Sequence, residues 1–199
     1  MKKRSISSEF LSDRQIQELV LAIEFGSQSK HIFNCLITVN LEQAGVAEDM
    51  RLRAIQALLA QIRTAARYRG GCFSAIWVRE RAKSIGEHVH ILAHIPDVLQ
   101  KIYKQKYRRW LKAAGIGYTR GCIDTRRVWS VAADTISIED AIQTNIKNLG
   151  TYLLKGAHRT SCSKFGLSRI QFSGRIAGKR CGSTQNLGPN ARKQSCIKQ

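Results

Sequence analysis

Acidic side chains are scarce in this chain. Asp and Glu number 14 against 33 Lys and Arg in 199 residues, a formal charge of +19 with a pI near 10.2. Self-repulsion on that scale calls for a polyanionic partner, with a merely basic or ribosome-associated protein as the plainer alternative. Cysteine spacing is also uninformative for metal: no pair among Cys35, Cys72, Cys122, Cys162, Cys181 and Cys196 is C-x-x-C, which argues against structural zinc. No apolar run follows the basic MKKR, since SISSEFLSDRQ is polar, and no stretch approaches the length of a membrane span. The expectation is a cytoplasmic protein with reduced, buried thiols. A hydrophobic content of 43% in 199 residues gives one well-buried core and too little chain for two ordinary domains.

What is present has a readable order. Residues 9–24 carry apolar positions at helical spacing, with Gly26 as a stop. HIFNCLITVN, 31–40, alternates as a strand, with Phe33, Cys35, Ile37 and Val39 on one face and Asn34, Leu36, Thr38 and Asn40 on the other. A helix over about 47–68 ends at Gly70-Gly71. CFSAIWVRE and EHVHILAHI then form a hairpin around RAKSIG. A helix over 97–113 closes at Gly115 and Gly117, and a strand or strand pair spans about 121–132. Ser137 caps a last helix over 138–156, with Asp140 as its capping-box partner.

After the N-terminal helix the order is β-α-β-β-α-β-α, the split βαβ pattern. The fold class expected is α+β: a central antiparallel sheet of four to five strands, RRM- or ferredoxin-like. Its crossover helices lie on one face, and the last helix lies over the other. The expected divisions are an N-terminal helical extension (1–30), a central domain (31–156) and a basic tail (157–199). From Ala141 onward there is no Asp or Glu, and Gly, Ser, Gln and Asn dominate the end, so the tail is read as extended and disordered unless bound.

GEHVHILAHIP, 86–96, holds three of the five histidines. Alternation sends Val89, Ile91, Ala93 and Ile95 to the helix-covered face and His88, His90, Leu92 and His94 to the other. Residues two apart on a strand are separated by about 6.6 Å, so His88 and His90 can converge on one ion, while His94, about 13 Å from His90, is a bystander or a phosphate contact. Glu80 at the end of the preceding strand is the candidate third ligand; Glu87 competes, but alternation turns it to the helix side. Two imidazoles and a carboxylate leave coordination positions free for substrate and water. A bare H-x-H is equally what two hydrogen-bonded, half-buried histidines look like.

NLGTYLLKG puts Tyr152 and Lys155 three apart on one helix face. A phenol ionises near pH 10 and is a weak nucleophile without help; a lysine one turn away favours the phenolate and can stabilise charge on a pentacovalent phosphorus. The alternative is a core-packed tyrosine with a snorkelling lysine. YKQKY repeats the spacing at Tyr103 and Lys106, with Tyr107 nearby, but on a crossover helix expected on the sheet face away from the histidines.

HVH (88–90), YLLK (152–155) and the apolar CLITVNL (35–41), in that order, resemble the HUH endonucleases, particularly the single-tyrosine rolling-circle replication initiators of plasmids and phages. The resemblance covers about 31–156. It implies Mg²⁺ or Mn²⁺ held by His88, His90 and Glu80, and attack by Tyr152 on single-stranded DNA to give a 5′-phosphotyrosine, supported by Lys155. It also implies DNA contacts from Thr38, Asn40, Arg79, Arg81, Lys179 and Arg180. An origin hairpin, a host helicase and a polymerase are the further partners implied, in a bacterial cytoplasm and away from any membrane. The chain is small for a plasmid initiator with its own origin-binding domain, so a transposase-like HUH protein stays open. Two further readings are a non-catalytic single-strand-binding module, which would need stacking aromatics that the open face of the sheet lacks, and a zinc hydrolase using activated water.

Overall fold

The computed structural model describes residues 7–28, 32–128, 138–168 and 170–196, with the backbone alone described at 138–143, 145 and 196. In chain order the elements are β1 (Ser7–Ser8), α1 (Asp13–Gln28), β2 (Cys35–Asn40), α2 (Arg51–Arg67), β3 (Ser74–Ala82), β4 (Gly86–His94), α3 (Asp97–Ala113), β5 (Ile123–Arg127), α4 (Ile138–Leu153), α5 (Arg159–Phe165), β6 (Ile176–Ala177), β7 (Cys181–Ser183) and α6 (Pro189–Cys196). The main sheet has five antiparallel strands in the order β5-β2-β4-β3-β7. The architecture is α+β, and its strand order is compatible with a ferredoxin-like plan carrying one added edge strand.

Alternation along the strands splits the core in two. Ile37, Val39, Trp77, Val89 and Ile91 face α2 and α3, meeting Ile55, Leu58, Ile62, Leu99 and Leu111. Ile76, Val78 and Leu92 face the other way, against Ile16, Leu19 and Ile23 of α1 and Ile146 and Leu153 of α4. The second face is therefore covered by two helices rather than by the last helix alone. The N-terminal extension belongs to the same core, and what stays accessible on that face is a cleft.

Several expected boundaries move for local reasons. The first helix begins at Asp13 because Ser12 and Gln15 form a reciprocal capping box: the Gln15 N–H donates to Ser12 Oγ (3.3 Å) and the Ser12 N–H to Gln15 Oε1 (2.9 Å). Gly26 does not stop it; a Cβ there would lie 2.6 Å from the Phe33 ring, so the glycine serves close packing. β2 is confined to Cys35–Asn40, β5 to Ile123–Arg127, and α4 ends at Leu153. The expected strand residues 129–132 and the Ser137 cap, together with the Asp140 side chain, lie outside the described residues.

The largest correction concerns 157–199, expected as a disordered tail. Through residue 196 it is folded into the domain, apart from Arg169, which is not described. β7 extends the main sheet by pairing with β3 (Ile76↔Ser183, Val78↔Cys181), and β6 pairs with β1. Composition misled because it counted arginines as solvated. Arg180 is fully buried, donating from Nε to Ser8 Oγ (3.0 Å), from Nη1 to Ser173 Oγ (2.8 Å) and from Nη2 to the Gly174 carbonyl (2.6 Å). Cys162, Ile176, Cys181 and Leu187 are the buried apolar anchors of this segment. The described cysteine side chains, at 35, 72, 122, 162 and 181, are all free thiols, and burial pushes Cys35 up to about 12 and Cys181 up to about 11. No helix among the described residues is long and apolar enough to cross a membrane.

Candidate functional site

The hairpin register brings the candidate ligands together. Glu80 pairs directly with His88 across β3 and β4, and Thr38 of β2 pairs with His90. All four side chains then share the sheet face that α4 crosses. Glu80, His88 and His90 are buried, and one donor atom from each lies within 4.8 Å of the others, the one group of this kind among the described residues. Glu80 Oε2 is 3.6 Å from His88 Nε2 and 3.4 Å from His90 Nε2.

Both imidazoles are oriented from behind. His88 Nδ1 is 3.1 Å from the Gly86 carbonyl, which can only accept, so Nδ1 carries a hydrogen and the ring turns Nε2 toward Glu80. His90 Nδ1 meets Thr38 Oγ1 at 2.9 Å, which turns its Nε2 inward as well. Burial, with His88 and Lys155 nearby, outweighs Glu80 and lowers the His90 imidazole below its ordinary value. For Glu80, burial raises the carboxyl. The imidazoles of His88 and His90 and the nearby Lys155 charge outweigh that and hold it well below the usual carboxylate range.

Two imidazole nitrogens and a carboxylate converging in a buried site suit a cation. A further sign is Glu80 Oε1, which is buried without a hydrogen-bond partner. These residues could hold a metal ion; an imidazole and carboxylate set without thiolate fits several divalent ions, so the donors do not name one.

Tyr152 and Lys155 reach this centre from α4 and the turn after it. The Tyr152 hydroxyl is 3.2 Å from His90 Nε2, on the same side of the sheet as the cluster. Lys155 is buried, and its Nζ sits 3.0 Å from Glu80 Oε2 and 3.8 Å from the centre of the Tyr152 ring. The lysine therefore lies over the phenol's face and pairs with the carboxylate; the group at the hydroxyl itself is His90. One lone pair on Nε2 serves either the phenol proton or a cation, not both at once. The cleft around these residues has a volume of about 660 Å³ and includes Arg81, Arg126 and Arg127.

Other expected contacts are placed elsewhere. Arg79, expected on DNA, is fully buried on the helix face: its Nε donates to Glu87 Oε1 (2.8 Å) and its Nη1 to the carbonyls of Ala177 (2.8 Å) and Lys179 (3.0 Å). Alternation puts it there, since Arg79 and Glu80 point to opposite faces. Arg180 is likewise buried and committed to the backbone and to serines, as above. Thr38 serves His90, and Asn40 donates to the Ile85 carbonyl (2.8 Å) while accepting from the Gln43 N–H (2.9 Å), so it closes a turn. Arg81 is partly exposed and within 3.4 Å of Glu42, and Lys179 is exposed. His94 Nδ1 meets the Ile32 carbonyl at 2.9 Å, away from the cluster. Glu87 lies on the helix face as alternation requires, paired with Arg51 and Arg79.

Tyr103 belongs to the core with α2 and α3, on the opposite face, and burial raises its phenol further. A second cleft of about 520 Å³ beside it, between α3 and β5, lacks the histidine pair.

Sequence reasoning missed two stretches that line the histidine cleft: Asp124, Arg126 and Arg127 of β5, where Asp124 pairs with Thr38, and residues 171–173. The Gln171 N–H donates to the Lys155 carbonyl (2.7 Å), and the Arg81 N–H donates to the Ser173 carbonyl (2.8 Å). Gly156 makes this possible: a Cβ there would stand 2.5 Å from Ser173 Oγ. Comparison with family models, with curated proteins and with solved structures finds no match for this chain.

Proposed function

We propose that this protein is a single-tyrosine HUH-type endonuclease that nicks and rejoins single-stranded DNA, in the manner of a rolling-circle replication initiator of a plasmid or phage. The observation that carries the reading is the Tyr152 hydroxyl 3.2 Å from an inward-facing imidazole of the Glu80, His88 and His90 cluster. The ferredoxin-like reading of the sheet is part of the same proposal, and its strand order supports it.

Each residue has a role that follows from its surroundings. His88, His90 and Glu80 would hold a divalent cation, Mg²⁺ or Mn²⁺, whose contribution is to polarise the scissile phosphate and offset its charge. The Tyr152 oxygen attacks phosphorus in line, forming a P–O bond as the bond to the 3′-oxygen breaks. The phenol gives up its proton and the departing 3′-oxygen takes one up, leaving a 5′-phosphotyrosine and a 3′-hydroxyl. No external energy source is consumed, so the reverse step rejoins the strand. Lys155 neutralises Glu80 and keeps a positive charge against the phenol ring as it becomes anionic. Arg126 and Arg127 at the cleft, within a chain of charge +19, supply attraction for the phosphate backbone.

The test is a covalent adduct. Wild-type protein with Mn²⁺ and labelled single-stranded oligonucleotides is expected to give a protein–DNA species that survives denaturing electrophoresis. Tyr152→Phe is expected to lose it entirely while keeping DNA affinity within about twofold, because the substitution removes one hydroxyl and no charge. Cleavage yielding only free ends would instead indicate a hydrolase using activated water. Adduct formation by the Phe variant would remove Tyr152 as the nucleophile.

A further inference from the structure

The C-terminal stretch that sequence reasoning missed places a large aromatic at the mouth of the cleft. Phe172 is 58% exposed, yet it is far from loose. The residue before it is bonded to the Lys155 carbonyl at the end of the tyrosine-bearing segment (2.7 Å), and the residue after it to the Arg81 N–H on β3 (2.8 Å). The Phe10 ring braces it edge-on, with centroids 5.8 Å apart at 73°, and Phe10 in turn contacts His158 edge-on at 5.0 Å. Ile85, 51% exposed on the β3–β4 turn, lines the same cleft.

Singly exposed apolar residues are ordinary on a protein surface. This one is fixed on both sides, lines the cleft that holds Tyr152 and the histidines, and shares it with Arg127 and with Arg126, which is paired with Asp124 at 2.6 Å. A flat ring at the mouth of a cleft that also carries arginine is a combination that single-stranded nucleic acid recognises: phosphates meet the charge, and an unpaired base finds a π-face. We infer that Phe172 is a stacking platform for one unpaired DNA base next to the scissile phosphate, with Ile85 as an apolar contact at the same mouth. The inference rests on the single-stranded DNA reading above. It assigns to the C-terminal segment a direct part in substrate binding, made through a ring rather than through the charges that its composition advertises.

The experiment compares the full-length wild type with Phe172→Leu and Phe172→Trp. Leu keeps apolar bulk against Phe10 and removes the flat face; Trp enlarges the face. Affinity is measured by anisotropy, without added metal, for a labelled mixed-sequence oligonucleotide and for a sugar-phosphate oligomer of equal length lacking bases. Phe172→Leu is expected to weaken binding of the base-bearing strand by about 5- to 100-fold, with Phe172→Trp at or above wild-type affinity and no change on the abasic strand for either. Equal losses on both strands, or none on either, would overturn the platform. Adduct formation by the wild type, run in parallel with Mn²⁺, reports on the nuclease reading separately. An adduct with no effect at 172 removes only the platform. A base-dependent loss at 172 without any adduct keeps the platform and removes the nuclease.

Discussion

One hairpin buries two glutamates on opposite faces of the sheet, and they are treated differently. Glu87 is saturated: Arg79 Nε reaches Oε1 at 2.8 Å, Arg51 Nη1 reaches Oε2 at 2.8 Å, and Arg81 Nη2 stands 3.7 Å from Oε2. Glu80 has one lysine at 3.0 Å, two neutral-capable imidazoles at 3.4 and 3.6 Å, and an oxygen with no partner. Guanidinium forks fix a carboxylate in place and use up its lone pairs. Imidazoles do not, and Glu80 Oε1 is left without a hydrogen-bond partner. The carboxylate surrounded by arginine is thus fully committed within the fold, and the one surrounded by histidine belongs to a cluster that could hold a metal ion.

The strongest way to break this contrast is to remove each carboxylate charge in turn. Glu87→Gln strands two buried guanidiniums against one neutral amide, and about 3–5 kcal/mol of stability is expected to go, read as a lowered urea midpoint at unchanged slope. If Glu87→Gln unfolded no earlier than Glu80→Gln, the structural assignment of Glu87 would fail. Metal sharpens the comparison further. A cation binding only the folded state at about a hundredfold over its Kd adds roughly 2.7 kcal/mol. Mn²⁺ is expected to raise the melting temperature of the wild type and of Glu87→Gln, but not of Glu80→Gln or His88→Ala. A metal shift that survives Glu80→Gln would remove that carboxylate from the ligand set.

Much of this contrast was legible in the sequence, because period-two alternation is strict along β4: the side of every residue from His88 to His94 follows from its parity. The same rule applied to β3 also separates Arg79 from Glu80, yet Arg79 was expected on DNA because its charge outweighed its position. What parity does not encode is the partner. Nothing local in Arg180 announces that Ser8, nearly the whole chain away, receives its guanidinium, and nothing in the acid-free end of the chain announces an edge strand. Phe172 was overlooked for a related reason. A lone aromatic in a polar, basic stretch has no periodic company, and its meaning comes from the Lys155 and Arg81 backbone groups that hold its neighbours.

The smallest effect tests how the two imidazoles are aimed. His88 is oriented by the Gly86 carbonyl, a backbone group that no side-chain substitution removes, whereas His90 depends on the Thr38 hydroxyl at 2.9 Å. Thr38→Val is nearly isosteric and deletes only that oxygen. His90 Nδ1 is then left without its partner in a buried site, at a cost of about 1 kcal/mol. Its ring also loses the contact that points Nε2 at Glu80 and Tyr152. Removing such a supporting group costs metal affinity tenfold or more, and the expectation for Thr38→Val is the low end, about tenfold, because strand pairing with β2 still confines the ring. Titration of Mn²⁺ by calorimetry measures the affinity, and adduct yield at saturating metal measures what remains of the geometry. An unchanged Mn²⁺ affinity would mean that His90 is held by its packing against Tyr152 and His88 alone, and that Thr38 is free for the contact with DNA first expected of it.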